Sequence, residues 1–370
     1  MSKTMRAARM HATGEDLRID TIDVPEPGPT DVLVEVRACG IVPNLRNVLD
    51  NITTWFPHLV MPELPAIFGL DAAGVVVRKG SQVHGVELGQ RVYVNPARYC
   101  GGCRPCRAGD HISCAYYTFN GYFGFGPGSK EIYKAYPYGG LADYMTAPQY
   151  SLVDLPDSVS FETAARWGYL GTAYRALRRA GAGPHSTLLV NGASGTLGIG
   201  AVLFGLALGV REIYGTGRDL ELLKQVEALA PGRIRTHALG DEVSVTNWVH
   251  GLTGGVGTSI VVDALGPGAP QSSTLDAFGA LARGGTHVNI GAVAGELPIN
   301  LHEVMDRNQT LVGSLWFTPT DGQEMADLAA VGAVDLSVLE HEVFGLERVN
   351  EALAVFKNRN GGFSNYVIVP

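Results

Sequence analysis

The sequence predicts a two-domain α/β protein: a mainly β domain, and a doubly wound parallel sheet with helices on both faces. Three observations carry this. Before Ser160 the chain holds short β-branched runs bounded by Gly and Pro, the mark of an irregular β domain. After Ser160, apolar strands alternate with amphipathic helices, as in a parallel sheet buried on both sides. The length of 370 residues, 46% hydrophobic and 17% charged, is ordinary for a globular chain of two domains.

The β runs include "DVLVEVRACGI" (Asp31 to Ile41), "AAGVVVRKG" (Ala72 to Gly80) and "GQRVYVNP" (Gly89 to Pro96). "SFETAARWGYLGTAYRALRRA" then has helical spacing. Ser160 suits an N-cap and Glu162 the first turn, but Thr163 stands where a full capping box needs an acid or amide. The alternating segments follow: "STLLVNGA", "LGIGAVLFGLALG", "REIYGTG", "DLELLKQVEALA", "SIVVDAL", "TLDAFGALARGG" and "THVNIGA". From about Leu315 the pattern turns mixed again, and this tail is expected to pack back on the first domain. The expected divisions are 1–169 with 315–370 for the β domain and 170–314 for the parallel sheet. No internal repeat or low-complexity segment is visible.

Composition removes several function classes. Net charge is −8, with no dense Lys/Arg run, which argues against a nucleic-acid partner. The first residues lack the apolar stretch of a signal peptide, and no run approaches the roughly 18 apolar residues of a membrane span. The default expectation is a cytoplasmic protein, in a compartment where thiols stay reduced.

"STLLVNGASGTLGIGAVLFGLALG" places Gly192, Gly195 and Gly198 between a buried strand and a helix. Glycines there keep a turn tight and let backbone N–H groups approach a pyrophosphate at the helix start. A lone Gly triplet is weak evidence, but its strand–helix context makes it a dinucleotide fingerprint. Ser194, Thr196 and Leu197 fall inside it; Leu265 and Gly291, at later strand ends, complete the expected cofactor set. The second strand, "REIYGTGRDLELL", decides the cofactor type. NAD sites usually end this strand on Asp or Glu, whereas Gly217 and Arg218 stand here. An arginine pairs with the 2′-phosphate of NADP, with Thr216 and Lys224 as helpers. The alternative for Arg218 is a solvated surface position. Asp219 reads as the N-cap of the next helix.

Four of the five cysteines, Cys100, Cys103, Cys106 and Cys114, fall in "CGGCRPCRAGDHISC". Four thiols at this spacing suit a closed tetrahedral zinc site of structural purpose. The rival, an iron–sulfur cluster, places its fourth cysteine three residues on and follows it with Pro; Cys114 is farther away and precedes Ala115.

Taken in order, "GQRVYVNP", the cysteine lobe (about 95–118), "GGLADYMTAPQYSLVDLPD", the Gly fingerprint and "GGTHVNIGA" resemble the medium-chain dehydrogenase/reductase superfamily, zinc alcohol dehydrogenase type, over nearly the whole chain. The resemblance implies a GroES-like catalytic domain, a Rossmann domain, an active site in the cleft between them, one structural zinc, NADP(H), a small-molecule substrate, and a homodimer or homotetramer.

The catalytic end departs from that family. Its second zinc takes a Cys from a segment like "CGICxTD", a His from "GHE" and a later Cys or Glu. The corresponding positions hold Val42 in "ACGIVPNLRN", Leu70 in "GLDAAG" and, in "WGYLGTAY", Gly168. The relay hydroxyl and His fall at about Asn44 and Asn47. A rebuilt zinc would have to draw on Cys39, His58, Glu63 and Asp71. Relatives without the second zinc include quinone and enone reductases, which reduce a C=C bond conjugated to a carbonyl. Charge then develops on the carbonyl oxygen, where Asn44 and Tyr169 are the expected donors. Tyr169 is also a candidate proton donor, or else a cleft-wall aromatic. Asp71 is expected to anchor local backbone. The long aromatic connection between Cys114 and Gly139, with Trp55, Trp167 and Trp316, suits a lid for a large flat substrate or, alternatively, a lobe that packs on itself or on a second subunit. Two further readings stay open: an alcohol dehydrogenase or carbonyl/iminium reductase, and a non-catalytic NADPH-binding protein.

Overall fold

The computed structural model describes residues 3–355 and 360–370. Its parallel sheet has six strands in the order Ile234–Ala238, Glu212–Gly217, Thr187–Asn191, Thr258–Asp263, Leu281–Asn289 and Thr310–Gly313. Order therefore reverses beside Thr187–Asn191, whose two neighbours are reached by crossovers in opposite directions. The strand residues Thr187–Asn191 are all buried. Leu188 and Val190 enter the main core, and Leu189 a smaller one with Tyr214, Val249 and Val261. The period-2 alternation explains why this strand reads as continuously apolar: both faces are covered.

The β domain is built on a seven-stranded mixed sheet. Asp31–Gly40 is its axis, pairing antiparallel with Asp71–Lys79, with Tyr144–Pro148 and with the last strand, Ser364–Val369. The expected return of the tail is seen: Ser364–Val369 also pairs parallel with Glu340–Gly345, and helix Pro319–Ala330 lies on Trp167–Arg179. The main hydrophobic core runs from this domain into the parallel sheet, holding Val34, Tyr93, Leu170, Phe204 and Val262 together. Among the described residues no helix is long and apolar enough to cross a membrane.

The stretch from Ser160 forms two helices rather than one, Phe161–Ala164 and Trp167–Arg179. Ser160 caps the first, its hydroxyl accepting from Thr163 N at 3.1 Å. The break falls at Arg166 (φ −117°, ψ 3°), whose guanidinium is buried and donates to the carbonyls of Phe363, at 2.9 Å, and of Gly362. A buried cation needs acceptors, and local helix geometry gives way to reach them. Trp167 follows and is fully buried, its indole N–H on Gly322 O at 3.1 Å. It is therefore a core residue, not part of a cleft wall; the side chain of Trp55 lies outside the described residues.

Replacing Arg166 with Leu leaves the buried Gly362 carbonyl without a donor and Phe363 O with Glu340 N alone, at 2.8 Å. Stability is expected to fall by about 3 kcal/mol, the scale of breaking a buried charged hydrogen bond, read as the urea midpoint. An unchanged midpoint would show that the tail is held by other contacts.

Candidate functional site

A groove runs along the carboxyl ends of the parallel strands. One cavity, about 640 Å³, is lined by Gly192, Ser194, Gly195, Gly217, Arg218 and Leu265. A second, about 700 Å³, shares Arg218 and Leu265 and extends past Leu239 and Asp276. A smaller one, about 320 Å³, touches Gly291, Asn289 and Ser314. The groove sits at the point where strand order reverses, the place where open α/β sheets take ligands. Gly192 adopts φ +91°, which a side chain would strain, and a Cβ on Gly198 would lie 2.1 Å from Gly192 O. Helix Thr196–Ala207 begins on Gly195 with no side-chain cap, and the start of a helix at this place favours an anion. These features fit a dinucleotide.

Of the expected cofactor residues, Gly192, Ser194, Gly195, Arg218 and Leu265 meet in the groove, and Gly291 lines its far end. Thr196, Leu197 and Gly198 form the first helical turn. Two are corrected. Thr216 is fully buried; its hydroxyl donates to Asn191 Oδ1 at 2.7 Å and accepts from Gly192 N at 3.2 Å, so it braces the loop from beneath. Lys224 lies outside the groove lining and pairs with Glu221 at 2.8 Å, three residues back on its own helix. Asp219 caps that helix, accepting from Glu221 N and Leu222 N. Arg218 is left exposed at the mouth of both large cavities. Beneath the groove, Asn191 Nδ2 donates to buried Asp263 at 3.1 Å, and Asp263 also receives Leu265 N. The sequence reading missed Gly361 and Gly362. Gly361 lines the groove, and Gly362 N donates to Ser194 O at 2.8 Å. Paired glycines in an otherwise ordinary tail were the available signal.

The catalytic end is set by strand register. Gly40 pairs with Asp71 and Cys39 with Ala72, so the chain leaving Gly40 passes Leu70. Val42 and Leu70 are both buried. Gly168 has no room for a ligand: a Cβ there would lie 2.3 Å from Asp71 Oδ1 and 2.7 Å from the Trp316 ring. Asp71 is buried and accepts from Tyr93 Oη at 2.8 Å and Gly168 N at 3.0 Å. Burial pushes its carboxyl up to about 7, against the pull of Tyr93, Gly168 N–H and Arg166. Burial and the neighbouring Asp71 likewise raise the Cys39 thiol. His58 and Glu63 are exposed, whereas Cys39 and Asp71 are buried, so those four do not gather. Asn44 is exposed, and Tyr169 Oη reaches its Oδ1 at 3.4 Å. Tyr122, from the aromatic connection, reaches the same oxygen at 2.6 Å. That connection packs largely on itself. Tyr117, Phe119 and Tyr122 are buried, and the Phe119 ring lies tilted against Trp316 with centroids 4.6 Å apart.

Cys100, Cys103, Cys106 and Cys114 bring their sulfurs within 4.8 Å of one another. Backbone N–H groups point at the sulfurs, Cys103 N to Cys100 at 3.4 Å and Tyr116 N to Cys114 at 3.3 Å, as thiolates require. The donor set suits a structural zinc. Among the described residues it is the one group of three or more His, Cys, Asp or Glu donors so gathered.

A two-domain fold with a dinucleotide groove and a four-thiol lobe defines a nucleotide-dependent dehydrogenase scaffold. Residues 28–157 match the alcohol dehydrogenase GroES-like domain, and residues 196–331 match the zinc-binding dehydrogenase family. An alcohol dehydrogenase of Geobacillus stearothermophilus is 30% identical over 352 residues, 94% of each chain. The NAD-dependent alcohol dehydrogenase of Sulfolobus acidocaldarius is 28% identical over 354 residues, 94% of this chain and 95% of that one. Among solved structures, a thermostable alcohol dehydrogenase from Pyrobaculum aerophilum superposes with a TM-score of 0.79 at 26% identity, over 99% of this chain and 100% of that one. A zinc-binding dehydrogenase of Sinorhizobium meliloti bound to NADP gives 0.82 at 22%, over the whole of both chains. The chain belongs to the zinc alcohol dehydrogenase-like medium-chain dehydrogenase/reductases, and is an oxidoreductase of that family.

Two outcomes are expected. Protein purified without added metal or chelator should carry about one zinc per chain by elemental analysis, lost on Cys106→Ala; about two would place a metal at the catalytic end as well. Asp71 keeps its proton in the folded protein up to about pH 7 but releases it near 3.8 when unfolded. The folded state thus binds more protons in that window. Stability should fall as pH rises through it, by on the order of 4 kcal/mol, and level off above it. Asp71→Asn keeps an acceptor oxygen and should flatten the dependence in urea melts; an identical slope in the variant would show that Asp71 stays ionised in the fold.

Proposed function

We propose that the protein is an NADPH-dependent reductase of a conjugated enone, enal or quinone, working without a zinc at the reacting centre. The observation that carries this is Gly168, closed to any side chain by Asp71 and Trp316, together with the apolar Val42 and Leu70 at the other two ligand positions. A bound reduced nicotinamide supplies a hydride equivalent. Gly192, Ser194 and Gly195 would hold the pyrophosphate, and Arg218 the 2′-phosphate, since Asp219 spends its carboxylate on a helix cap.

Without a Lewis acid, an ordinary ketone is a harder substrate than a conjugated one. Hydride delivered to the β-carbon moves charge to the carbonyl oxygen, and protonation of the α-carbon completes the reduction. Asn44 and Tyr169 stand at the exposed end of the cleft to donate to that oxygen, and Tyr169 is the candidate proton donor. Asp71 positions Tyr169 by holding Gly168 N–H, one residue earlier. The half-buried Phe123 and Phe125 offer apolar surface for a large or aromatic substrate. We further infer a cytoplasmic homodimer or homotetramer that binds neither nucleic acid nor membrane.

The names of the relatives favour a second reading, alcohol oxidation or carbonyl reduction, since they are alcohol and sorbitol dehydrogenases. NADPH deuterated at its transferred position separates the two. Label at the β-carbon of the product supports the first; label at a carbinol carbon overturns it. Arg218→Asp is expected to weaken NADPH binding about 10- to 100-fold while leaving NADH within about threefold, the scale of one charge-assisted contact. Equal loss for both cofactors would remove Arg218 from the phosphate site.

A further inference from the structure

We propose that Tyr122 is a positioning residue: its hydroxyl fixes the side-chain amide of Asn44 so that the amide N–H groups face the substrate oxygen. This rests on the reading of Asn44 as the group that binds that oxygen.

Asn44 is exposed at the start of helix Leu45–Trp55, and Val48 N donates to its backbone carbonyl. An exposed asparagine side chain samples several rotamers, and its O and N ends are close in shape. Here two phenol hydroxyls converge on one end. Tyr122 Oη lies 2.6 Å and Tyr169 Oη 3.4 Å from Oδ1. The amide oxygen accepts from Tyr122, and from Tyr169 only until that hydroxyl turns its one proton to the substrate, which leaves both N–H donors of Asn44 to the other side, with no acceptor from the described residues. Such donors are ready for an oxyanion without reorganisation.

Tyr122 is suited to this because its own position is fixed. It follows Gly121, which adopts φ +70° and is pressed against Gly69 and Gly139. The adjoining Asn120 donates through N to Pro96 O at 2.8 Å and through Nδ2 to Tyr138 O at 2.9 Å. Phe119 and Phe123 close the turn with Phe119 N on Phe123 O at 2.9 Å, and the Tyr122 ring lies 4.6 Å from Phe123. Tyr122 is 4% exposed, so its hydroxyl emerges from a packed corner onto the amide of an exposed residue. Burial also keeps that hydroxyl protonated well above the usual range of a phenol, so it remains a donor at every working pH. The aromatic connection thus contributes one polar atom to the site, and its many rings hold that atom still.

The test is a double-mutant cycle in the full chain. Tyr122→Phe removes the hydroxyl and keeps the ring. Its kcat is expected to fall about 10- to 100-fold while KM and NADPH affinity stay within about twofold, the pattern of an interaction made in the transition state. Asn44→Ala should lose at least as much, and the double variant no more than Asn44→Ala alone. Independent, multiplying losses would overturn the proposal. The cycle is read on whichever carbonyl or alcohol turns over. A carbinol-labelled product would therefore sink the enone reading and still test Tyr122. An activity-free readout covers an inert protein: in chain labelled with ¹⁵N-asparagine, the Asn44 side-chain amide, assigned by its loss in Asn44→Ala, should shift and broaden in Tyr122→Phe. An unmoved Asn44 signal would mean Tyr122 does not hold it.

Discussion

Asp71 is the point on which the catalytic end is built. Its carboxyl is buried at the first residue of a central strand, where it binds Tyr93 on the next strand and the second residue of helix Trp167–Arg179. Through strand pairing it fixes Gly40, and through Gly168 it fixes Tyr169. The two donors proposed for a substrate oxygen, Asn44 and Tyr169, come from segments more than a hundred residues apart, and they meet because both are referred to this group. A buried carboxyl is costly unless satisfied or neutral. This one has two donors and a raised pKa, so both conditions are in part met.

The dinucleotide groove is referred to a different set of buried polar groups. Asn191, Thr216 and Asp263 sit at the ends of three adjacent strands and bond to one another and to the loops above. The loops stay short and glycine-rich, and the N–H groups of Gly192, Ala193 and Leu265 are tied to these polar strand ends. The tail adds a second constraint from above. Arg166 holds the carbonyls of Gly362 and Phe363, and Gly362 in turn donates to Ser194. The β domain thereby touches the glycine loop at Ser194 through its own last segment.

What the sequence made legible was local. The cysteine spacing, the glycine turn between strand and helix, the caps at Ser160 and Asp219, and the missing acid after Gly217 all act within a few residues, so spacing alone reveals them. The remainder depends on contacts between distant segments. Nothing near Tyr122 says that its hydroxyl meets Asn44, 78 positions earlier. Trp167 looks like a cleft aromatic until helix Pro319–Ala330 is laid over it, and Thr216 looks like a ligand until strand pairing turns it toward Asn191. The helix break at Arg166 was hidden for the same reason: its cause is two carbonyls near the end of the chain.

The packing around Gly168 also bears on how this chain can change. A donor side chain introduced there would have to enter space held by a buried carboxyl and an indole ring, and overpacking a site of this kind is destabilising. The first step toward a three-ligand metal centre would lower stability before the other two ligands existed to compensate. Single replacements therefore lead away from such a centre more readily than toward it. The geometry acts as a ratchet on the chemistry available to the protein's descendants.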